Sequence, residues 1–168
     1  MIFLSLKKML HIGSLSFMLI ALVIGCSDAE PTPVQATATP VGIQYPLTIT
    51  DMTGRSVEIN AKPERIIAIS PTAMEILYEV GGKAVGRSSG ARFSEEVIAL
   101  PDLGGAYNPS IEKIVTLRPD MLLIEALTQG HMTQMLGSLE VPIVAVRATS
   151  VKDVNQSLEL VGKIIDSE

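Results

Sequence analysis

The stretch from Arg65 to Gly86 allows few folds, because strand, turn, helix, turn and strand follow one another within it. Ile66, Ile67, Ala68 and Ile69 form an apolar, largely β-branched run, the kind that is buried on both faces of a parallel sheet. Ser70-Pro71-Thr72 breaks the run. Thr72 and Glu75 have capping-box spacing, in which a hydroxyl and a carboxylate each satisfy an amide left free by the first helical turn. That spacing predicts a helix starting at Thr72. Ala73, Ile76, Leu77 and Val80 then follow at i, i+3, i+4 and i+7, giving one apolar face. Gly81-Gly82 supplies a residue able to end the helix at positive φ, and the chain returns as Ala84-Val85-Gly86.

A strand-turn-helix of this kind can hold a dinucleotide only if glycines let the backbone approach the phosphates. Here the turn is Ser-Pro-Thr-Ala-Met-Glu, and neither G-x-G-x-x-G nor G-x-x-x-x-G-K-[ST] occurs anywhere in the chain. Nucleic acid is disfavoured on other grounds. Aromatic residues make up 4% of the sequence and Trp is absent, so stacking platforms are scarce. Setting Lys7 and Lys8 aside leaves 11 of the 13 basic residues against 18 acidic ones, a balance of −7. Such a charge repels phosphates.

The same alternation continues down the chain. Before the Arg65 unit, Leu47 to Thr50 and Ser56 to Ile59 alternate around Asp51-Met52-Thr53-Gly54, which predicts a β-hairpin. After it, Ser94 to Ala99 reads as a short helix in a Gly- and Ser-rich segment. Asn108-Pro109-Ser110 is expected to open a helix lined by Ile111, Ile114 and Val115, with Leu117-Arg118-Pro119-Asp120 stopping it. Strand Met121 to Ile124 and a helix over 130–139, with Met132, Met135, Leu136 and Leu139 on one face, come next. Val141 to Val146 is the following strand. Ser150-x-x-Asp153 caps a last helix, on which Val151, Val154, Leu158, Val161 and Ile165 hold helical spacing. Helices alternating with strands require crossovers, hence an α/β fold: an N-terminal hairpin, then a mostly parallel sheet with helices on both faces. Ligands of such sheets bind outside the carboxyl ends of the strands, here Ser70-Pro71-Thr72, Arg87 to Gly90, Glu125-Ala126 and Arg147-Ala148.

The N-terminal part has a different character. Residues 1–25 place Lys7-Lys8 before an uncharged, apolar stretch, the pattern of a secretory leader, and the stretch is near the short limit for spanning a membrane. Leu22-Val23-Ile24-Gly25-Cys26 resembles the bacterial lipobox, so cleavage before Cys26 and acylation of that single cysteine are expected. Residues 26–44 then read as the lipidated cysteine and a flexible tether, rich in Pro, Thr and Ala and poor in large apolar groups. The folded domain is expected over 45–168.

Several pieces together are similar to one family: Asp51-x-x-Gly54-Arg55, Pro63-Glu64-Arg65-Ile66, Ser70-Pro71 followed by Glu75, Val85-Gly86, Pro101-x-x-Gly104, Asn108-x-x-x-Glu112-Lys113-Ile114 and Leu117-x-Pro119-Asp120. The chain resembles the substrate-binding proteins of ABC importers for ferric siderophores and cobalamin. The resemblance implies a non-enzymatic binding protein with no cofactor of its own, exported and held at the membrane by its lipid. Such a protein carries a metal chelate (siderophore, haem or cobalamin) between two α/β lobes and delivers it to an ABC permease. The resemblance covers 45–168, one lobe, and ends where the family's long connecting helix begins. A truncated gene or partial record is the expectation.

By that resemblance Ser70, Pro71, Thr72, Arg87, Ser88, Ser89, Arg92 and Tyr107 lie on loops facing the ligand, and Glu112 docks onto permease arginines. Two Arg in one loop suit an anionic chelate, because guanidinium matches carboxylates in bidentate fashion. Each residue also has a plainer role: surface Arg is usually solvated, Ser70 and Thr72 can cap a helix, and a carboxylate at Glu112 is stabilised by the helix dipole. A bare-metal-binding or structural surface lipoprotein is the alternative. Its chemistry is thin, since His131 with Glu125 does not make a zinc ligand set. Hydrolysis would need a base within reach of a serine, and no paired-carboxylate spacing stands out.

Overall fold

The computed structural model describes residues 42–167. The expected leader, acylation at Cys26 and most of the tether lie outside the described residues. The first described residues are bonded to the C-terminal end of the chain. The Ile43 amide donates to Asp166 Oδ1 at 3.1 Å, and the Tyr45 hydroxyl donates to the Ile164 carbonyl at 2.6 Å. Composition gave no sign of the first bond, because a backbone amide makes it.

Strands β1 (Leu47–Thr50) and β2 (Ser56–Ile59) form the predicted antiparallel hairpin, with Leu47 opposite Ile59 and Gly54 at φ 85° in the turn. The Arg65 unit folds as β3 (Ile66–Ala68), α1 (Pro71–Glu79) and β4 (Ala84–Arg87). Its helix starts before Thr72. Ser70 Oγ accepts from the Ala73 amide at 3.0 Å, and Pro71 takes the first helical position, where its fixed φ fits and its missing N–H costs nothing. The capping role expected of Thr72 therefore belongs to Ser70. At the other end, Gly82 donates to the Leu77 carbonyl and Gly81, at φ 79°, to that of Tyr78, a complete Schellman motif.

A short helix α2 (Glu95–Ile98) follows, capped by Ser94. Two small strands, β5 (Gly104–Gly105) and β6 (Asn108–Pro109), then pair before α3 (Ile111–Thr116). Asn108-Pro109 thus belongs to a strand pair and Ser110 is the cap, its Oγ accepting from the Lys113 amide. Strand β7 (Met121–Glu125) follows. The single helix expected over 130–139 is broken into α4 (Ala126–Gln129), a 3₁₀ turn Gly130–Met132, α5 (Thr133–Leu136) and a 3₁₀ turn Gly137–Leu139. Both 3₁₀ turns begin at glycine, the residue that loses most on entering an α-helix. The altered periodicity buries Met132 and Leu136 but leaves Met135 exposed. Strand β8 (Ile143–Val146) and α6 (Val151–Ile165) complete the fold, with Ser150 capping α6 through the Asp153 amide as its spacing predicts.

The main sheet is parallel, in the order β4-β3-β7-β8. Alternate residues feed two cores. Ile66, Ala68, Met121, Leu123, Val144 and Val146 pack with α1 and α6, while Ile67, Leu122, Ile124, Ile143 and Ala145 pack with Leu103, Ile114, Met132 and Leu136. Helices therefore cover both faces. The sheet edges are covered too, which keeps them from pairing with other chains. At β8 the hairpin turn lies alongside, with the Met52 amide donating to the Ala145 carbonyl. At β4 the segment 101–103 bonds Arg87 from both sides of its peptide. The chain runs from β3 to β4 on one side of β3 and then to β7 on the other. That reversal opens a crevice between the carboxyl ends of β3 and β7.

Candidate functional site

A cleft of about 650 Å³ occupies that crevice. Its floor comes from the strand ends: Ser70, Pro71 and Thr72 after β3, Glu125, Leu127 and Thr128 after β7, and Ala148 and Thr149 after β8. Gly90 and the tip of the β5–β6 hairpin, Gly105 to Tyr107, form the remaining wall. Tyr107 is 67% exposed, a large ring presented with little cover.

Gln129 assembles this floor. It is fully buried, its Oε1 accepts from the Glu125 amide at 2.8 Å, and its Nε2 donates to the carbonyls of Ala106 at 2.5 Å and Ile69 at 3.4 Å. One side chain thus ties the ends of β3 and β7 to the Tyr107 loop. Glu125 caps α4: its Oε2 accepts from the amides of Leu127 and Thr128 and from Thr128 Oγ1, at 3.1, 2.8 and 2.7 Å.

The residues expected at a ligand separate into two groups. Ser70, Pro71, Thr72 and Tyr107 line the cleft, although Ser70 Oγ is occupied as a helix cap. Arg87, Ser88, Ser89 and Arg92 do not. Arg87 is buried, its guanidinium donating to the carbonyls of Ser88 and Ile98 and lying 3.3 Å from Asp102 Oδ2. Ser89 Oγ donates to Asp102 Oδ1 at 2.7 Å. That bond, with the Gly104 amide and the nearby charge of Arg87, holds the Asp102 carboxyl below the usual carboxylate range. Ser88 is buried with its hydroxyl unpartnered. Arg92 is exposed two residues beyond Gly90. The pair of Arg foreseen for an anionic chelate is therefore not assembled in the cleft. Arg147, at the end of β8, is likewise turned away, donating to the Met52 carbonyl at 2.7 Å. Glu112 sits exposed in the first turn of α3.

Leu127, Thr128, Thr149 and the Gly105-Ala106 backbone were not singled out from sequence. They follow from no motif, because only the tertiary fold brings the ends of β7 and β8 and the β5–β6 hairpin to one cleft. Nothing in the sequence marks Gln129. Among the described residues, no group of three or more His, Cys, Asp or Glu side chains comes together, and His131 is exposed.

A sequence model of the family described as "Periplasmic binding protein" matches residues 66–168. The chain belongs to that family. Curated relatives include an uncharacterised ABC transporter substrate-binding lipoprotein of Bacillus subtilis, 27% identical over 125 residues, covering 71% of this chain and 40% of the relative. A vitamin B12-binding protein of Vibrio vulnificus is 31% identical over 117 residues, covering 66% and 42%. Among solved structures, the fold matches a periplasmic solute binding protein of Veillonella parvula at TM-score 0.63 and 24% identity, covering 72% of this chain and 41% of that one. It also matches the petrobactin-binding protein of Bacillus subtilis at TM-score 0.64 and 17% identity, covering 73% and 46%. The chain thus spans about two fifths of the length of the curated relatives it matches.

Proposed function

We propose that the chain serves as a substrate-binding component of an ABC importer, presenting its cleft to a metal chelate such as cobalamin, haem or a ferric siderophore. The observation that carries this reading is the cleft itself, formed at the carboxyl ends of the strands, where ligands of parallel α/β sheets bind. The named relatives support it: one is a substrate-binding lipoprotein, another binds vitamin B12. In this reading the protein is exported, Cys26 carries the lipid that holds it at the membrane, and Glu112 is the carboxylate offered to a permease.

The cleft is a concave wall open on one side. Small ligands owe affinity to enclosure of most of their surface, so the expected dissociation constant is weaker than about 1 µM. Isothermal titration of the full chain in detergent with cyanocobalamin, haem, a ferric siderophore and zinc chloride tests the reading. Saturable binding of any of the chelates, with none of zinc, supports it. Binding of zinc alone points to a bare-metal protein.

A further inference from the structure

The charge of the cleft narrows the class of ligand. Three arginines stand near the carboxyl ends of the strands, and two of them are spent on the protein: Arg87 on Asp102 and two carbonyls, Arg147 on the Met52 carbonyl. No Lys or Arg lines the cleft among the described residues. The one carboxylate that does line it is Glu125, whose oxygens differ. Oε2 is saturated by Leu127 and Thr128, which fixes the plane of the group. Oε1 makes no hydrogen bond among the described residues, and the sealed, unpartnered side-chain atoms are Ser88 Oγ and Arg147 Nε. Oε1 is therefore an open acceptor, on a side chain that lines the cleft together with the apolar Leu127, Ala148 and Pro71 and the exposed ring of Tyr107.

We infer that Glu125 Oε1 is a ligand-anchoring acceptor that makes the cleft select uncharged or cationic complexes bearing N–H or O–H donors, and reject anionic chelates. A carboxylate in a partly desolvated site gains from a neutral donor and repels a second carboxylate or catecholate charge, while a flat apolar ligand face is accommodated by the ring and aliphatic walls. Corrinoids rimmed with primary amides and tris-hydroxamate complexes share this chemistry. The inference rests on the binding-protein reading.

The test compares three diamagnetic probes on the full chain in detergent: cyanocobalamin, a gallium(III) tris-hydroxamate and an anionic gallium(III) tris-catecholate. Equilibrium dialysis is expected to show at least one of the first two binding about tenfold or more tightly than the third, the scale of one charge-assisted hydrogen bond. Which of the two binds separates a corrinoid source from a hydroxamate one. Glu125→Gln keeps an acceptor for the Thr128 and Leu127 amides but removes the charge, so the preference should fall by about tenfold while the chain stays folded, with a melting temperature lowered by only about 5 °C. Ala148→Lys, which adds a cation to the wall without touching Glu125, should move it the same way. Tighter binding of the tris-catecholate by the wild type, or a preference unaltered in both variants, overturns the inference while leaving a binding protein. Binding of none of the three overturns the inference, and if haem is not bound either, the function proposed above falls with it.

Discussion

The Asp51 turn and the Glu125 floor each place a buried carboxylate at the end of a β-element, and they do opposite things with it. Asp51 uses both oxygens: Oδ1 accepts from Thr53 and Arg55, while Oδ2 takes the Arg55 guanidinium at 2.5 Å and the Ala145 amide at 3.3 Å. Arg55 in turn donates to the Ile143 carbonyl, so the turn is fastened to the edge of β8. Glu125 uses one oxygen and leaves the other open. The difference shows why a polar side chain at a strand end is a poor guide to a ligand: the chemistry is the same and only the tertiary partners decide.

The sharpest way to separate the two regions is to remove each carboxylate's partners in turn. Asp51→Ala strips a buried acceptor from Arg55 and three backbone amides, and should cost about 3 kcal/mol, a drop of roughly 10 °C in melting temperature. Thermal denaturation followed by circular dichroism checks this, and a loss under about 3 °C would mean the turn is not a fastening. Burial alone would push the Asp51 carboxyl up, but the hydrogen bonds from Thr53 and Arg55 outweigh it and hold it below its ordinary range. Its contribution is therefore fully present above the unfolded value of about 3.9 and lost as pH falls through the lower folded value. Urea unfolding should show the Asp51→Asn penalty undiminished at pH 7 and shrunken near pH 2. A penalty independent of pH would contradict the charge-based account.

Gln129→Leu should cost less, about 2 kcal/mol, by orphaning the Glu125 amide and the Ala106 carbonyl. It should also free the Tyr107 loop, seen as faster amide exchange at Ala106 with unchanged exchange in β1. Tyr107→Ala should leave stability within about 0.5 kcal/mol and yet weaken chelate binding several-fold. Smallest is Glu112→Ala. A melting temperature shift within about 2 °C is expected, because an exposed carboxylate contributes little to folding. In a chimera fused to the part of a relative that this chain does not match, the same change should reduce permease-coupled uptake. Normal uptake with lost stability would make Glu112 a helix-start residue only.

The alternation of strands and helices was legible because burial repeats locally: Ile66 to Ile69 and Met121 to Ile124 are apolar throughout, and both lie in the sheet centre. Boundaries slipped where one residue overrode a pattern, as Pro71 did at the start of α1 and Gly130 and Gly137 did in the expected long helix. The strand ends that form the cleft followed from topology. Which side chains face it did not, since Arg87 is claimed by Asp102 and the Ile98 carbonyl, partners 15 and 11 residues away that only the fold brings near. The motif pieces Arg65 and Asp120 turn out to hold each other's segments: the Asp120 carboxylate accepts from the Glu64 and Arg65 amides, and Arg65 donates to the Leu117 carbonyl. They belong to the scaffold.

The central claim is that ligand binds at the carboxyl ends of β3 and β7. Nitrogen-15 NMR of the labelled full chain in detergent, titrated with cyanocobalamin and the gallium tris-hydroxamate, addresses it directly. The account predicts that the moving amides are those of Thr72, Ala106, Thr128 and Thr149, with the hairpin turn at Thr53 silent. Saturable shifts centred instead on the groove between α1 and α6, around Ile76 and Leu158, would contradict it.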